Sequence, residues 1–139
     1  MGLATPRDVI TRRRSLILEH DLNGFADLFA ADGVLELPFA PPGMPTRLEG
    51  REVIRSFSAG SGTSLMRIED MWATQIYQTT DPEVLIVELE TKAVVATTGA
   101  PFQGTSVQVF RIRDGEILLF RDYWNPQGLA RALNKPDLT

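Results

Sequence analysis

The sequence predicts an α+β domain: helices in the first part, then a long antiparallel meander, with the helices laid on one face of the sheet. Three observations lead there. Apolar residues recur at helical spacing as far as Phe29. From residue 65 onward the chain turns to segments rich in β-branched and aromatic residues. Those segments are divided by turn pairs, Asp81-Pro82, Asp114-Gly115 and Asn125-Pro126, of which Asp-Gly is a strong hairpin signal. A length of 139 residues, 43% of them apolar and 23% charged, suits one globular core, so 1–139 is read as a single domain.

Thr5-Pro6 opens the first helix with a capping hydroxyl, proline at the first helical position and Asp8 in the first turn. Val9, Ile10, Leu16, Ile17 and His20 follow one face, and His20 stands at the C-terminal end, where a cation suits the helix dipole. Arg12-Arg13-Arg14 lies inside this helix. Successive helical residues point in different directions, so the run predicts solvated surface and no basic face. Asp21-Leu22-Asn23-Gly24 breaks the helix, and Phe25, Leu28 and Phe29 mark a short second one at i, i+3, i+4 spacing. Asp32-Gly33 then turns into a strand over 34–37, stopped by Pro38. Residues 38–49 hold four prolines and a glycine, which no helix or central strand tolerates, so a restricted loop is expected. Residues 50–57 read as one or two helical turns, followed by a Gly/Ser break at 59–64. Strands follow over 65–79, 84–98, 106–113 and 116–124, and a short helix over 127–133 closes the chain.

Composition excludes several kinds of function. A formal net charge of −4 argues against general affinity for nucleic acid or an anionic membrane. The chain has no cysteine and one histidine, so disulfides, thiol nucleophiles and multi-histidine metal sites are not expected. No loop is spaced for carboxylate metal ligands, and no cofactor is expected. The first ten residues lack the apolar core of a signal peptide, and no apolar run approaches the roughly 18 residues that span a bilayer. A cytoplasmic protein is the expectation.

With this order of elements, the chain resembles the nuclear transport factor 2-like (NTF2-like) superfamily in its SnoaL-like branch. The resemblance rests on DLNGFADLFAADGVLELP (21–38), LEGREVI (48–54) and VFRIRDGEILLFRDYWNP (109–126). It implies a cone-shaped fold, a curved antiparallel sheet wrapped around N-terminal helices with a central pocket, and a homodimer through the outer sheet face. The last stretch is similar to limonene-epoxide-hydrolase-like proteins, where an aspartate in a similar Arg-Asp-Tyr segment activates the attacking water; that position falls on Asp122. The partner arginine and second aspartate of that family fall on Leu89 and Thr91. Phenazine-biosynthesis A/B-type proteins carry a glutamate at the position of Asp122, while their strand histidines fall on Thr105 and Gln108. Against ketosteroid-isomerase-like proteins, the base position is Leu37 and the tyrosine of the first helix is Arg13. That reaction is not expected.

Asp122 also stands out on physical grounds. Strand alternation puts Leu118, Phe120, Asp122 and Trp124 on one face, apolar but for one carboxylate. Burying a carboxylate is costly unless it has a reason to be there, and acid/base chemistry is one. Gln108 shares a face with Phe110 and Ile112 and is placed to bond ligand or Asp122, or else stands as an exposed polar residue. Glu88 and Glu90 read as an outer cross-strand ladder with Arg111, Arg113 or Arg121, joined by Lys92, or else as a second acid pair. Phe120, Trp124, Trp72, Phe39 and Met44 are candidate ligand contacts near the pocket mouth, or else core residues, the commoner role of such side chains. The 38–49 loop could act as a lid, with Arg47 reaching an anionic group.

The expected function is cofactor-independent acid/base catalysis by Asp122 on a small, largely apolar metabolite, of the epoxide-hydrolysis, cyclisation or isomerisation class. The alternative is a non-catalytic ligand-binding or dimerising domain of the same fold.

Overall fold

The first helix begins as its sequence predicts. In a computed structural model that describes residues 4–59 and 66–134, α1 (Pro6–Leu18) opens with a reciprocal capping box. Thr5 Oγ1 accepts from the Asp8 N–H at 3.2 Å, and Asp8 Oδ2 accepts from the Thr5 N–H at 3.0 Å, which satisfies two otherwise orphaned donors. Its buried residues are Val9, Ile10, Arg13 and Leu16, three and four apart, so one helical stripe lies on the sheet. The chain leaves the helix through exposed His20, at a left-handed φ of 57°. Asp21 then caps α2 (Leu22–Asp27) by accepting from the Gly24 N–H at 2.8 Å.

Six strands form one unclosed sheet in the order β2-β1-β6-β5-β4-β3. They are β1 (Phe29–Glu36), β2 (Arg47–Glu49), β3 (Met66–Gln78), β4 (Val84–Val95), β5 (Pro101–Arg113) and β6 (Glu116–Tyr123). α3 (Arg51–Ala59) follows β2, and α4 (Pro126–Asn134) follows β6. Strands β3 to β6 make the expected antiparallel meander. β1 joins it in parallel beside β6, a pairing of chain ends that local patterns do not announce. The Gly/Ser break expected at 59–64 lies outside the described residues, apart from Ala59.

Several boundaries differ from the sequence expectation for identifiable reasons. Phe29 begins β1 instead of ending a helix, and Asp32-Gly33 is an irregularity within that strand instead of a turn before it. The register against β6 slips between Phe29 and Val34. Gly33 is needed there because a Cβ would stand 2.8 Å from the Ile117 carbonyl oxygen and 3.0 Å from that of Ala30. The proline-rich loop is shorter than expected, since Arg47–Glu49 pairs with β1 as an edge strand. In β6 the register shifts again: Arg111 faces Leu119, whereas Ile112 faces Ile117. Ile117, fully buried, therefore takes the inward place that simple alternation gave to Leu118.

The helices and the concave side of the sheet enclose the core. Four rings interlock at its centre: Phe110 lies 4.4 Å from Phe120, and Phe25 meets Phe29 edge-on at 5.4 Å. Phe29 stacks on Phe120 at 6.5 Å and ties β1 to the ring cluster. No helix among the described residues is long and apolar enough to cross a membrane. Truncating Phe29, which is fully buried, is expected to lower unfolding free energy by about 3–5 kcal/mol through lost burial and a cavity. Urea denaturation of Phe29→Ala checks this, and a loss below about 1 kcal/mol would contradict the packing described.

Candidate functional site

Between α1 and the concave face lies a cavity of about 600 Å³. Ile17, Leu35, Leu37, Met71 and Leu89 make much of its wall, and Met44 with Pro41 to Pro45 forms one rim. The ring of Phe102 packs over Gly104, where an added Cβ would come within 2.8 Å of it. Both residues line the cavity, so a side chain at 104 would displace the ring. Among the described lining residues, only Arg13 and Asp122 are ionisable.

These two groups and Gln108 form one polar cluster. Gln108 and Asp122 are register partners on β5 and β6, and the next inward pair is Phe110 with Phe120. Arg13 descends from α1 onto this square of four residues. Its Nη1 donates to Gln108 Oε1 at 2.6 Å. Its guanidinium carbon lies 5.0 Å from the centre of the Phe110 ring and 5.5 Å from that of Phe120, within cation–π range. Because the Gln108 oxygen is taken by Arg13, the amide NH₂ is the group left for Asp122. Asp122 is partly exposed as a residue, yet its Oδ1 is sealed from solvent without a hydrogen-bond partner among the described residues, as is Arg13 Nε.

Burial sets the protonation of both groups. It pushes the Asp122 carboxyl up to about 6, although the Gln108 amide and the more distant Arg13 charge both favour the anion. It lowers Arg13 to about 10, with the Asp122 charge working in the opposite direction. At neutral pH, Arg13 therefore stays cationic while Asp122 is mostly the anion with its protonated form within easy reach, which suits it to accept a proton. No group of three His, Asp or Glu side chains able to hold a metal occurs among the described residues.

The expected site residues divide in two. Asp122, Gln108, Phe120, Trp124 and Met44 all line the cavity. Trp72, Phe39 and Arg47 do not, and those expectations are corrected. Trp72 pairs with Glu90 on the outer face, 36% exposed, while its neighbour Met71 points into the cavity. Phe39 is 54% exposed and packs edge-on against Tyr123 at 5.6 Å, beside a separate and more open groove. Arg47 turns outward from β2 to pair with Glu49 at 2.8 Å and Glu36 at 3.6 Å, while Leu48 takes the buried side. Glu88 and Glu90 are partly exposed and paired in register with Val107 and Thr105. The arginines expected to face them go elsewhere: Arg111 and Arg113 bond Glu83, and Arg121 bonds Glu36. Glu90 instead accepts from Thr105 Oγ1 at 2.7 Å.

Arg13 is the site residue that the sequence reading missed. It was expected on the solvated surface and is 2% exposed. The signal was present: residue 13 fills the gap in the apolar stripe, four after Val9 and three before Leu16. A charge there was easily assigned to the surface because its two arginine neighbours are in fact exposed.

Comparison with known proteins places these residues in context. A family model described as SnoaL-like domain matches residues 11–120. An uncharacterised PhzA/B-like protein of Pseudomonas aeruginosa is 39% identical over 128 residues, which are 91% of this chain and 89% of that protein. A crystal structure of a Bacillus subtilis protein with a provisional isomerase assignment matches at 28% identity and TM-score 0.87, covering 96% of each chain. An LEH-like epoxide hydrolase of M. tuberculosis matches at TM-score 0.68, covering 92% of this chain and 91% of its own. Its 17% identity speaks to the fold alone.

The raised Asp122 carboxyl has a stability consequence. Folding favours its protonated form, so its penalty is absent below about 4, grows between about 4 and 6, and is fully present above. Asp122→Asn is expected to stabilise the protein by about 3 kcal/mol at pH 8, with most of the gain gone by pH 4. Denaturation of both proteins across that range measures it. A gain that persists unchanged at pH 4 would assign it to packing and not to charge.

Proposed function

The chain belongs to the SnoaL-like domain family of the NTF2-like superfamily, and from that premise we propose that it is an enzyme using Asp122 as general acid/base on a small, largely apolar metabolite. The observation that carries this reading is the Asp122 carboxyl, raised to about 6 by burial beside an apolar cavity, with Gln108 at its side. A structural carboxylate has no need of such a setting, whereas proton transfer at neutral pH does. The apolar walls would hold the substrate by shape and the polar cluster would orient it. Epoxide hydrolysis, cyclisation and isomerisation each need a proton moved at one carbon or oxygen, and the reading requires no metal or organic cofactor. In epoxide opening, Asp122 would take the proton of the attacking water. In cyclisation or isomerisation, it would take a proton next to a carbonyl and return it elsewhere on the same molecule.

A second reading, ligand binding without turnover, has its own support. Leu89, Thr91 and Thr105 stand in the cavity wall at positions where the resembling enzymes place partner groups. A panel of epoxides and polyketide-like ketones separates the two. Turnover is expected in the wild type and should fall about 10²–10⁴-fold in Asp122→Asn. A base role gives a kcat/KM limb rising through pH 6, an acid role the mirror image, and either limb disappears in the variant. Retained turnover in Asp122→Asn, or a flat profile from pH 5 to 8, would remove Asp122 from the mechanism.

We also infer that two copies pair through the outer sheet face. Trp72, Tyr77 and Val107 are exposed on that side, an apolar surface that association would cover. Val107→Glu is expected to halve the solution mass seen by sedimentation, and a wild-type monomer at tens of micromolar would refute the pairing.

A further inference from the structure

The acid/base reading leaves one buried group without a task. Arg13 is 2% exposed and lines the cavity. It spends one donor on Gln108, and its Nε has no partner among the described residues. A guanidinium carries five donors in a planar fork, and leaving one unmade inside a protein is costly. Were Arg13 present only to neutralise Asp122, the economical arrangement would be a direct ion pair. Gln108 stands between them instead, so the cation bonds to a neutral carbonyl and keeps donor capacity.

We propose that the polar end of the cavity receives a carboxylate carried on an apolar body, and that Arg13 is the residue that selects it. The inference rests on the proposed function for its claim that this ligand is the substrate class. Planar guanidinium is the side chain best matched to carboxylate geometry. The rest of the lining is apolar or neutral, and about 600 Å³ falls in the usual range for small-molecule sites. An arriving anion would meet two charged groups: Arg13 from α1 and Asp122 from β6. The lining residues of α2, α3 and β1 and of β3 to β5 contribute none. The ionised Asp122 would repel the ligand, so binding is expected to draw a proton onto it and to strengthen as pH falls through 6.

Isothermal titration with 2-naphthylacetate and its neutral isostere 2-naphthylacetamide tests this. At pH 6.5 the wild type should bind the acid at least about tenfold more tightly than the amide. Arg13→Met should erase that preference while still binding the amide. In the wild type the preference should weaken from pH 6 to 8, and in Asp122→Asn it should not. Equal affinity for acid and amide, no binding of the acid, or a preference that survives Arg13→Met would overturn the proposal. If Arg13→Met does not fold, the wild-type comparison alone decides. Neither probe is turned over, so this outcome is independent of the Asp122→Asn activity assay. Catalysis without acid preference would sink only the ligand class, and acid preference without Asp122-dependent turnover would sink only the enzyme.

Discussion

The hydrogen bond from Arg13 to Gln108, at 2.6 Å, organises the polar end of the cavity. It joins the first helix to the concave face of the sheet across 95 residues of sequence. Moving a guanidinium out of water costs several kcal/mol after relaxation, and the surroundings offset that cost in three ways. The amide oxygen of Gln108 accepts one bond, the rings of Phe110 and Phe120 present their faces, and the Asp122 charge acts from farther away. Each compensating group comes from two adjacent strands in a fixed register, Gln108 with Asp122 and Phe110 with Phe120. The buried stripe of Val9, Ile10 and Leu16 and the bond from Arg14 to the Met71 carbonyl also dock the helix, and the cation on its four-residue patch fixes its polar contact beside the cavity.

The intermediary position of Gln108 also decides what Asp122 can do. Had the guanidinium bonded the carboxylate directly, the anion would be held well below the usual range and could not accept a proton near neutrality. An apolar neighbour in place of Gln108 would leave only the more distant Arg13 charge to oppose desolvation and raise the carboxyl further. The amide stands between these limits. It transmits the orientation of Arg13 to Asp122 without transmitting a full ion pair, and the carboxyl comes to about 6. Protonation and helix docking are thus coupled through a single side chain, which makes Gln108 a positioning residue for both.

How much of this was legible in the sequence depended on range. The capping box at Thr5 and Asp8, the Asp114-Gly115 turn and the inward face of Phe120, Asp122 and Trp124 follow from contacts within a few residues, and each was readable. The parallel pairing of β1 with β6 was not, because nothing near Phe29 encodes a partner some ninety residues away. That pairing is also why Asp32-Gly33 is a strand irregularity and not a turn: tertiary context overrode a sound local signal. Trp72 and Arg47 show the other limit. A residue near the cavity in sequence lies on one side of a strand or the other, and one step of register reverses the answer. Arg13 was hidden for a third reason. Periodicity places residue 13 in the apolar stripe, but hydropathy places arginine outside it, and only the combined presence of Gln108, Phe110 and Phe120 resolves the conflict.

The positions singled out by the resemblance carry this further. Leu37, Leu89, Thr91, Thr105, Gln108 and Arg13, the positions on which the resemblance lets the partner groups of those families fall, all line the same cavity. What differs is where the polarity sits. The strand positions of the epoxide-hydrolase-like arginine and second aspartate are here aliphatic and hydroxyl, and the cation arrives from the opposite side, on the helix. A site with its charge on the sheet would pull the polar end of a ligand toward β4, whereas under the proposed reading this one would pull it toward α1. With Asp122 unchanged in place, the ligand would present a different atom to the same carboxylate. Under the proposed acid/base reading, a substrate's polar end would therefore lie toward the helix, and Leu89, Thr91 and Ala93 of β4 would give the opposite wall no ionisable group.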